Sequence, residues 1–511
     1  MTVVILAGLA AGAYALVRNQ LEKDERRPAV QAFTDAWAKG DYEAMYALLD
    51  RRSRQENPRI SFLADYRRAN RAAGAEKITI GRLGPLLSGG AVRVPVKVTT
   101  EDFGTLEGTM TFKASEDERG EGRVAWTPAQ RLPGLEAGEE VRRRSGRQPQ
   151  RANIYAAGGQ LLNSDPTGAS IAGTAGEKPT GLERIYDDRL AGRPNSTLRF
   201  GNRVIGRVSG RRGKSVNTTI RLGLQRSVQN ALGDDLGGIA VIRPSDGAVL
   251  ALAGLAVSAP QPPGSSMKIV TLAAALQNGV AKPSSSYPVR TSATLSGVRL
   301  RNAGDESCGG SLANSFAHSC NSVFGPIGAK LGRKRLVAAA ERFGFNEKPT
   351  VPAAKPSTIP KDLKDSLAVG AAAIGQERTQ ATPLEMASVA ATIANQGLRV
   401  RPWLAGSRPP RKLVVSAKVA GQVRDMMVGV VRGGTGTAAA IPGVTVAGKT
   451  GTAELVPTAD AAQNPENTTA WFVAFAPAEN PRVAVAVMLP RAGQGGASAA
   501  PIARRVLQAA L

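Results

Sequence analysis

Pro263 and Gly264 open the segment Ser265-Ser266-Met267-Lys268-Ile269-Val270, which reads as the start of a helix. A serine three residues ahead of a lysine on a helix shares one face with it, within hydrogen-bond reach. An amine placed there takes the proton of an otherwise inert hydroxyl. S-x-x-K alone recurs by chance in a chain of 511 residues. Here two further pieces follow in order, Ser319-Cys320-Asn321 and Lys449-Thr450-Gly451-Thr452. Singly, the three read as a helix cap, a turn and a strand end. Jointly and in this order, they read as parts of one catalytic centre.

The rest of the composition narrows the chemistry. The chain has one histidine, His318, which excludes a His-rich metal site and argues against a Ser-His-Asp triad. We assign His318 to packing or solvent contact. A serine enzyme here needs another base, and lysine is the available type. No metal and no cofactor is expected. Cys308 and Cys320 are too few for a disulfide scaffold. They read equally as one disulfide in an oxidising compartment or as two buried thiols. The net charge of +25 first suggests nucleic acid. The charge is dispersed, however, aromatics make up only 4%, and no nucleic-acid motif is present, so nucleic acid is not expected as a partner. Arg143, Arg144, Arg147 and Arg151 form one cluster, and Arg207, Arg211, Arg212 and Lys214 another. These suit anionic lipid head groups, anionic wall polymers or plain solubility.

The length allows two to four domains, and 42% apolar residues supply real cores. Thr2 to Val17 is apolar and uncharged, and Arg18 ends the run, so residues 1–20 are expected to form a retained single-pass anchor. The basic residues Arg18, Lys23, Arg26 and Arg27 follow that run, the reverse of the usual charge bias for an outward-facing chain. Residues 28–50 read as helices, with Ala29, Phe33 and Trp37 at helical spacing, then Tyr42, Met45, Tyr46, Leu48 and Leu49. Val92–Val98, Gly108–Phe112 and Val124–Trp126 alternate like strands. Helices followed by an antiparallel sheet predict a small α+β domain over 28–140. Residues 146–230 are Gly- and Arg-rich, closing with an amphipathic helix that ends at Leu232. Gly237–Ala253 reads as a hairpin turning at Pro244–Gly247, and the chain ends in strands Trp471–Phe475 and Val483–Leu489 and a helix from Ala500.

The S-x-x-K, S-x-N and K-T-G set resembles that of the penicillin-interacting enzymes. Gly375-Gln376, Thr382-Pro383-Leu384-Glu385-Met386-Ala387, Gly433-Gly434-Thr435-Gly436-Thr437-Ala438 and Ala470-Trp471-Phe472-Val473-Ala474-Phe475 are similar to flanking segments of class B penicillin-binding proteins. Residues 181–192 and 151–156 resemble the stretch ahead of their catalytic domain. Residues 28–140, with Trp126-Thr127-Pro128 and Leu132-Pro133-Gly134-Leu135 at the exit, resemble the NTF2-like domain of the methicillin-resistance type. The resemblance implies a multidomain α+β chain: an NTF2-like α+β domain, a dimerisation-like linker domain over 146–230, and a transpeptidase domain over 231–511, with an antiparallel sheet flanked by helices. It implies a penicillin-sensitive peptidoglycan D,D-transpeptidase, with D,D-carboxypeptidase as a side activity.

Under that resemblance Ser265 is the nucleophile, Lys268 its base, and Ser319 the proton relay. Asn321 holds Lys268 and the substrate backbone. Lys449, Thr450 and Thr452 receive the terminal carboxylate, and Gly451 leaves room for a substrate strand. The oxyanion lies between the backbone N–H groups of Ser265 and Thr452. Implied partners are peptidoglycan stem peptides, β-lactams, the cell membrane and cell-wall synthesis proteins, with the catalytic domain extracytoplasmic. The rivals are a β-lactamase-like hydrolase and a non-catalytic scaffold of the wall machinery. The first needs a water-activating carboxylate, and Glu341 and Glu347 lie in the relevant interval without the required pattern.

Overall fold

The computed structural model describes residues 25–163, 165–454 and 464–511. The expected anchor over residues 1–20 lies outside them. Among the described residues no helix is long and apolar enough to cross a membrane. The chain divides into two compact units: one holds residues up to 151 together with 191–213, the other holds 152–190 and 214–511.

The first unit starts with α1 (Arg26–Ala38), α2 (Tyr42–Ala47), α3 (Arg51–Glu56) and α4 (Arg59–Ala73). The expected spacing is observed, since Ala29, Phe33 and Trp37 are all buried on α1. Strands β1 (Ala75–Ile80), β2 (Ala91–Thr100), β3 (Gly104–Glu116) and β4 (Gly122–Ala125) form an antiparallel meander in sequence order. On β2 every second side chain is buried, from Val92 to Thr100, so one face covers the helices and the other faces water. The core is aromatic: Phe33, Trp37, Phe62, Tyr66, Phe112 and Trp126 are essentially unexposed. The Trp126 indole N–H donates to Tyr66 Oη at 3.0 Å, and that hydroxyl donates to Gln130 O at 3.1 Å, so burying these two polar tips leaves neither unpaired. Strand β5 (Val141–Ser145) then pairs antiparallel with β6 (Ser196–Phe200), which pairs with β7 (Arg203–Val208). Val141, Leu198 and Phe200 join the same core. The stretch 146–230, expected as a linker domain, is thus shared between the two units.

In the second unit, α5 (Leu222–Leu232) precedes the expected hairpin, β8 (Gly238–Ile242) and β9 (Val249–Gly254). Late in the chain come β10 (Ala447–Glu454), β11 (Thr468–Ala476) and β12 (Val483–Pro490). The five build one antiparallel sheet in the order β9-β8-β12-β11-β10. All nine residues of β11 are buried, because both faces of the sheet are covered. Trp471, Val473 and Phe475 enter the larger core with Met267, Ile269 and Leu272. Phe472 and Ala474 enter the opposite core, with α5 and the C-terminal helix Ala499–Ala510. Strand β10 forms one edge of the sheet.

A buried ionic cluster lies on this unit's periphery. The Arg399 guanidinium donates to Glu347 Oε2 at 2.7 Å and lies 3.7 Å from Glu385 Oε1, while Arg401 pairs with Glu347 at 3.1 Å. Glu385 Oε1 and Arg399 Nε have no hydrogen-bond partner. Burial outweighs the nearby guanidinium and raises the Glu385 carboxyl to about 7. A carboxyl raised on folding favours the protonated native state, so its contribution is fully present below the unfolded value and is lost as pH rises to about 7. Glu385→Gln is therefore expected to gain melting temperature relative to the parent between pH 5 and pH 8. Parallel differential scanning calorimetry checks this, and an unchanged difference between the two proteins across that range would refute it.

Candidate active site

The nucleophile turn is built by backbone crowding. Gly264 adopts φ +51°, and a Cβ there would come within 2.5 Å of Thr452 O. Its N–H donates to Gly375 O at 3.0 Å, and Gly375, at φ +78°, lies so close that a Cβ would meet Gly264 O at 2.1 Å. Only glycine fits either position. Trp471 Nε1 donates to Pro262 O at 2.9 Å, tying the turn to β11. Gly264–Met267 forms a 3-10 turn that runs into α6 (Lys268–Gln277). The two adjacent serines then part company. Ser266 is fully buried and donates to Pro263 O at 2.6 Å, whereas Ser265 Oγ lies 2.9 Å from Lys268 Nζ.

The S-x-N segment joins α7 (Leu312–Ala317) to α8 (Asn321–Leu331). Ser319 there has φ +61°, a sparsely populated conformation for a residue bearing a side chain. It is held from two sides. Cys320 forms a disulfide with Cys308, with a Cα–Cα separation of 5.4 Å, closing the alternative that the sequence leaves open. Lys268 Nζ contacts Ser319 O at 2.7 Å, Ser319 Oγ at 3.2 Å and Asn321 Oδ1 at 2.7 Å. The Asn321 amide also donates to Arg301 O at 2.9 Å, so both ends of this side chain are engaged within the protein.

Lys449, Thr450, Gly451 and Thr452 lie on the edge strand β10. Lys449 Nζ donates to Ser319 Oγ at 2.9 Å and to Thr450 O at 3.0 Å. It is fully buried, so it faces Ser319 rather than an open cleft. A Cβ on Gly451 would come within 2.7 Å of Pro263 O and 3.1 Å of Ser266 N. The glycine therefore has a reason beyond the expected one: it admits the nucleophile turn. Thr450 Oγ1 lies 2.5 Å from Thr435 Oγ1, and Thr435 N donates to Ala317 O at 3.1 Å, so the Gly433–Thr435 loop links β10 to α7. The Thr452 hydroxyl accepts from Gly495 N at 3.3 Å.

Two amines thus meet at one hydroxyl. Neither Lys268 nor Lys449 has any exposed surface. Burial, seconded by the positive charge of Lys449, pushes Lys268 well below the ordinary lysine value. Burial alone brings Lys449 down to about 7. Phe324 lies 5.8 Å from Lys268 Nζ and Phe316 lies 5.6 Å from Lys449 Nζ, so an aromatic ring walls each amine. Phe316, Phe324 and Thr435 are site residues to which the sequence reading gave no role. The signal for the rings was their position, three residues before Ser319 and three after Asn321. Glu341 contacts Lys361 at 2.8 Å and Asn346 at 3.3 Å, and Glu347 contacts Arg399 and Arg401. His318 stays at the surface, its Nδ1 3.1 Å from Asn314 O.

A serine in contact with a buried lysine, a second serine between two lysines and a free-edged K-T-G strand define a serine acyltransferase centre. Residues 237–508 match the model of the penicillin binding protein transpeptidase domain, and residues 25–139 match that of the NTF2-like N-terminal transpeptidase domain. This chain belongs to the penicillin-binding protein transpeptidase family. It is 35% identical over 405 residues to a peptidoglycan D,D-transpeptidase, PbpA, of Mycolicibacterium smegmatis, spanning 66% of this chain and 80% of that one. Among solved structures, the D,D-transpeptidase domain of a peptidoglycan glycosyltransferase from Eggerthella lenta superposes with a TM-score of 0.62 at 30% identity, covering 71% of this chain and 99% of that one. The penicillin G acyl-enzyme of penicillin-binding protein A from Mycobacterium tuberculosis gives 0.60 at 30% identity, with 71% and 99% covered.

The disulfide closes a short loop next to Ser319 and stabilises it by about 3 kcal/mol in the chain-entropy picture. A Cys308→Ser, Cys320→Ser double variant is expected to melt several degrees lower. Its acylation should slow by roughly ten- to a hundredfold, because catalytic groups a fraction of an ångström out of place lose much of their advantage. Stopped-flow acylation by a fluorescent penicillin measures this; an unchanged rate would mean that the lysines hold Ser319 unaided.

Proposed function

We propose that this protein is a peptidoglycan D,D-transpeptidase that works through a Ser265 acyl-enzyme. The observation that carries the reading is the 2.9 Å contact between Ser265 Oγ and the buried Lys268 amine. A neutral amine has two N–H donors and one lone pair. Ser319 O and Asn321 Oδ1, both at 2.7 Å, accept the two N–H bonds. The lone pair is left for the Ser265 hydroxyl, which donates to it and is thereby activated.

Ser265 Oγ then attacks the carbonyl joining the two terminal D-alanines of a stem peptide. Its proton passes to Lys268. The Ser265 and Thr452 N–H groups stabilise the oxyanion. As the intermediate collapses, the carbon–nitrogen bond breaks. Ser319 hands a proton to the departing amine and is resupplied by Lys268, 3.2 Å away. The acyl group then passes to an amine of a neighbouring stem peptide. Thr450 and Thr452 hydrogen-bond the terminal carboxylate, and Lys449 attracts it through its field. The open edge of β10 accepts the extended peptide as an added strand. β-Lactams enter by the same route and remain on Ser265.

We further propose residues 1–20 as a membrane anchor, residues 28–140 as a spacer and residues 231–511 as the catalytic domain, with 146–230 connecting them. The Cys308–Cys320 disulfide supports an oxidising, extracytoplasmic setting. Wall-synthesis proteins are the partners such a setting offers.

Intact-mass measurement with penicillin G is expected to give one stable adduct at Ser265 and none in Ser265→Ala. Lys268→Ala is expected to lower the acylation rate on the order of a hundredfold or more. Label on Ser265→Ala would sink the assignment, and rapid drug turnover would favour a hydrolase. The parent's acylation rate should climb from acid pH as Lys268 loses its proton, and a pH–rate profile reads that limb.

A further inference from the structure

Residues 141–151 and 191–213 contain eleven arginines and no acidic residue. The first unit folds these stretches into the sheet β5-β6-β7. Register decides where the side chains go. Val141, Leu198 and Phe200 turn into the core, and Val208 is buried. On the other face Arg142 stands opposite Arg199, which stands opposite Val204, while Arg144 and Arg207 flank Thr197. Arg142, Arg144 and Arg207 are exposed, Arg199 is partly exposed, and Val204 keeps 36% of its surface.

Several of the unit's carboxylates are engaged with other arginines. Asp102 bridges Arg143 and Arg193, and Glu139 holds Arg203. Among the described residues, the ion pair on the outward face is that of Glu140 with Arg142 at 2.7 Å. Arg199 donates to Asn202 O. Among the described residues, Arg144, Arg199 and Arg207 have no ion-pair partner. Like charges directly opposite one another on a sheet destabilise it, so the fold carries a cost here that a polyanion would remove. Guanidinium groups also match phosphate with two parallel hydrogen bonds, which lysine cannot do.

We propose that this face is a docking surface for anionic phospholipid head groups. Charge complementarity selects a polyanion. The breadth of a face drawn from three strands, with the exposed apolar Val204 among the arginines, favours a bilayer over a thin polymer strand. In sequence, the start of α1 at Arg26 follows the apolar run Thr2–Val17 by nine positions. The inference rests on the anchor reading given above, and it assigns the first unit a second, electrostatic hold on the membrane.

Arginine-specific labelling with phenylglyoxal, read by mass spectrometry, tests it on the full chain in nanodiscs. In discs of phosphatidylcholine with phosphatidylglycerol, labelling of Arg144, Arg199 and Arg207 should fall several-fold relative to phosphatidylcholine alone. Labelling of Arg67, exposed on α4 of the same unit, should not change. High salt should restore the lost labelling. Equal labelling in the two lipids would overturn the proposal. So would protection by soluble anionic wall polymer without protection by anionic lipid, which would give the face to the wall. Failure of the chain to enter nanodiscs counts against the anchor alone, because labelling with added vesicles still reads the face.

Discussion

Two lysine amines held out of water around a single serine hydroxyl are the interaction on which this active site depends. Two such ammonium groups sharing Ser319 cannot both keep their protons cheaply. Desolvation penalises each charge, and their mutual repulsion penalises the pair. The strain falls most on Lys268, which feels both burial and Lys449 and is pushed well below the ordinary lysine value. In the mechanism proposed above, a neutral Lys268 is then both a base for Ser265 and a donor to Asn321. The surrounding architecture keeps this arrangement dry and fixed. Phe316 and Phe324 wall the amines, the disulfide pins Cys320, and Thr435 joins β10 to α7.

The same centre shows why a penicillin-binding fold needs its glycines. Gly264, Gly375 and Gly451 come from three distant stretches of chain, and each lets one backbone touch another where a side chain would block contact. Chemistry at Ser265 is thus a property of the way the turn, the loop before α9 (Pro383–Ala394) and the edge strand stack. A change at Gly375 would reach the nucleophile without touching it.

Much of this was legible in the sequence, for physical reasons. Helical spacing gave α1 and α2, period-two alternation gave β2 and β3, and the closing strands and helix were plain because continuous apolar runs mark a sheet buried on both faces. The three motifs named the residues that the structure brings together, and the choice of Ser265 over Ser266 as candidate nucleophile followed from its spacing to Lys268. Other features were hidden because they are tertiary. Helix α4 was overlooked, although Phe62, Leu63, Tyr66, Ala69 and Ala73 carry its apolar stripe. The burial of Lys449, which turns it toward Ser319, depends on Phe316 and on α7. The pairing of Cys308 with Cys320 needed the Cα separation. The sharing of residues 146–230 was invisible because β6 and β7 are short, Arg-rich and finish a sheet begun at Val141.

That sharing has a consequence for how such enzymes can change by recombination. The chain passes from one unit to the other near residues 151, 190 and 213. A single crossover in the gene between residues 145 and 196 would leave Leu198 and Phe200 in a body whose partner strand β5 came from a different parent. Exchange of the catalytic unit alone must therefore preserve three junctions at once. Mosaic descendants should keep residues 141–213 from one ancestor, whatever else they trade.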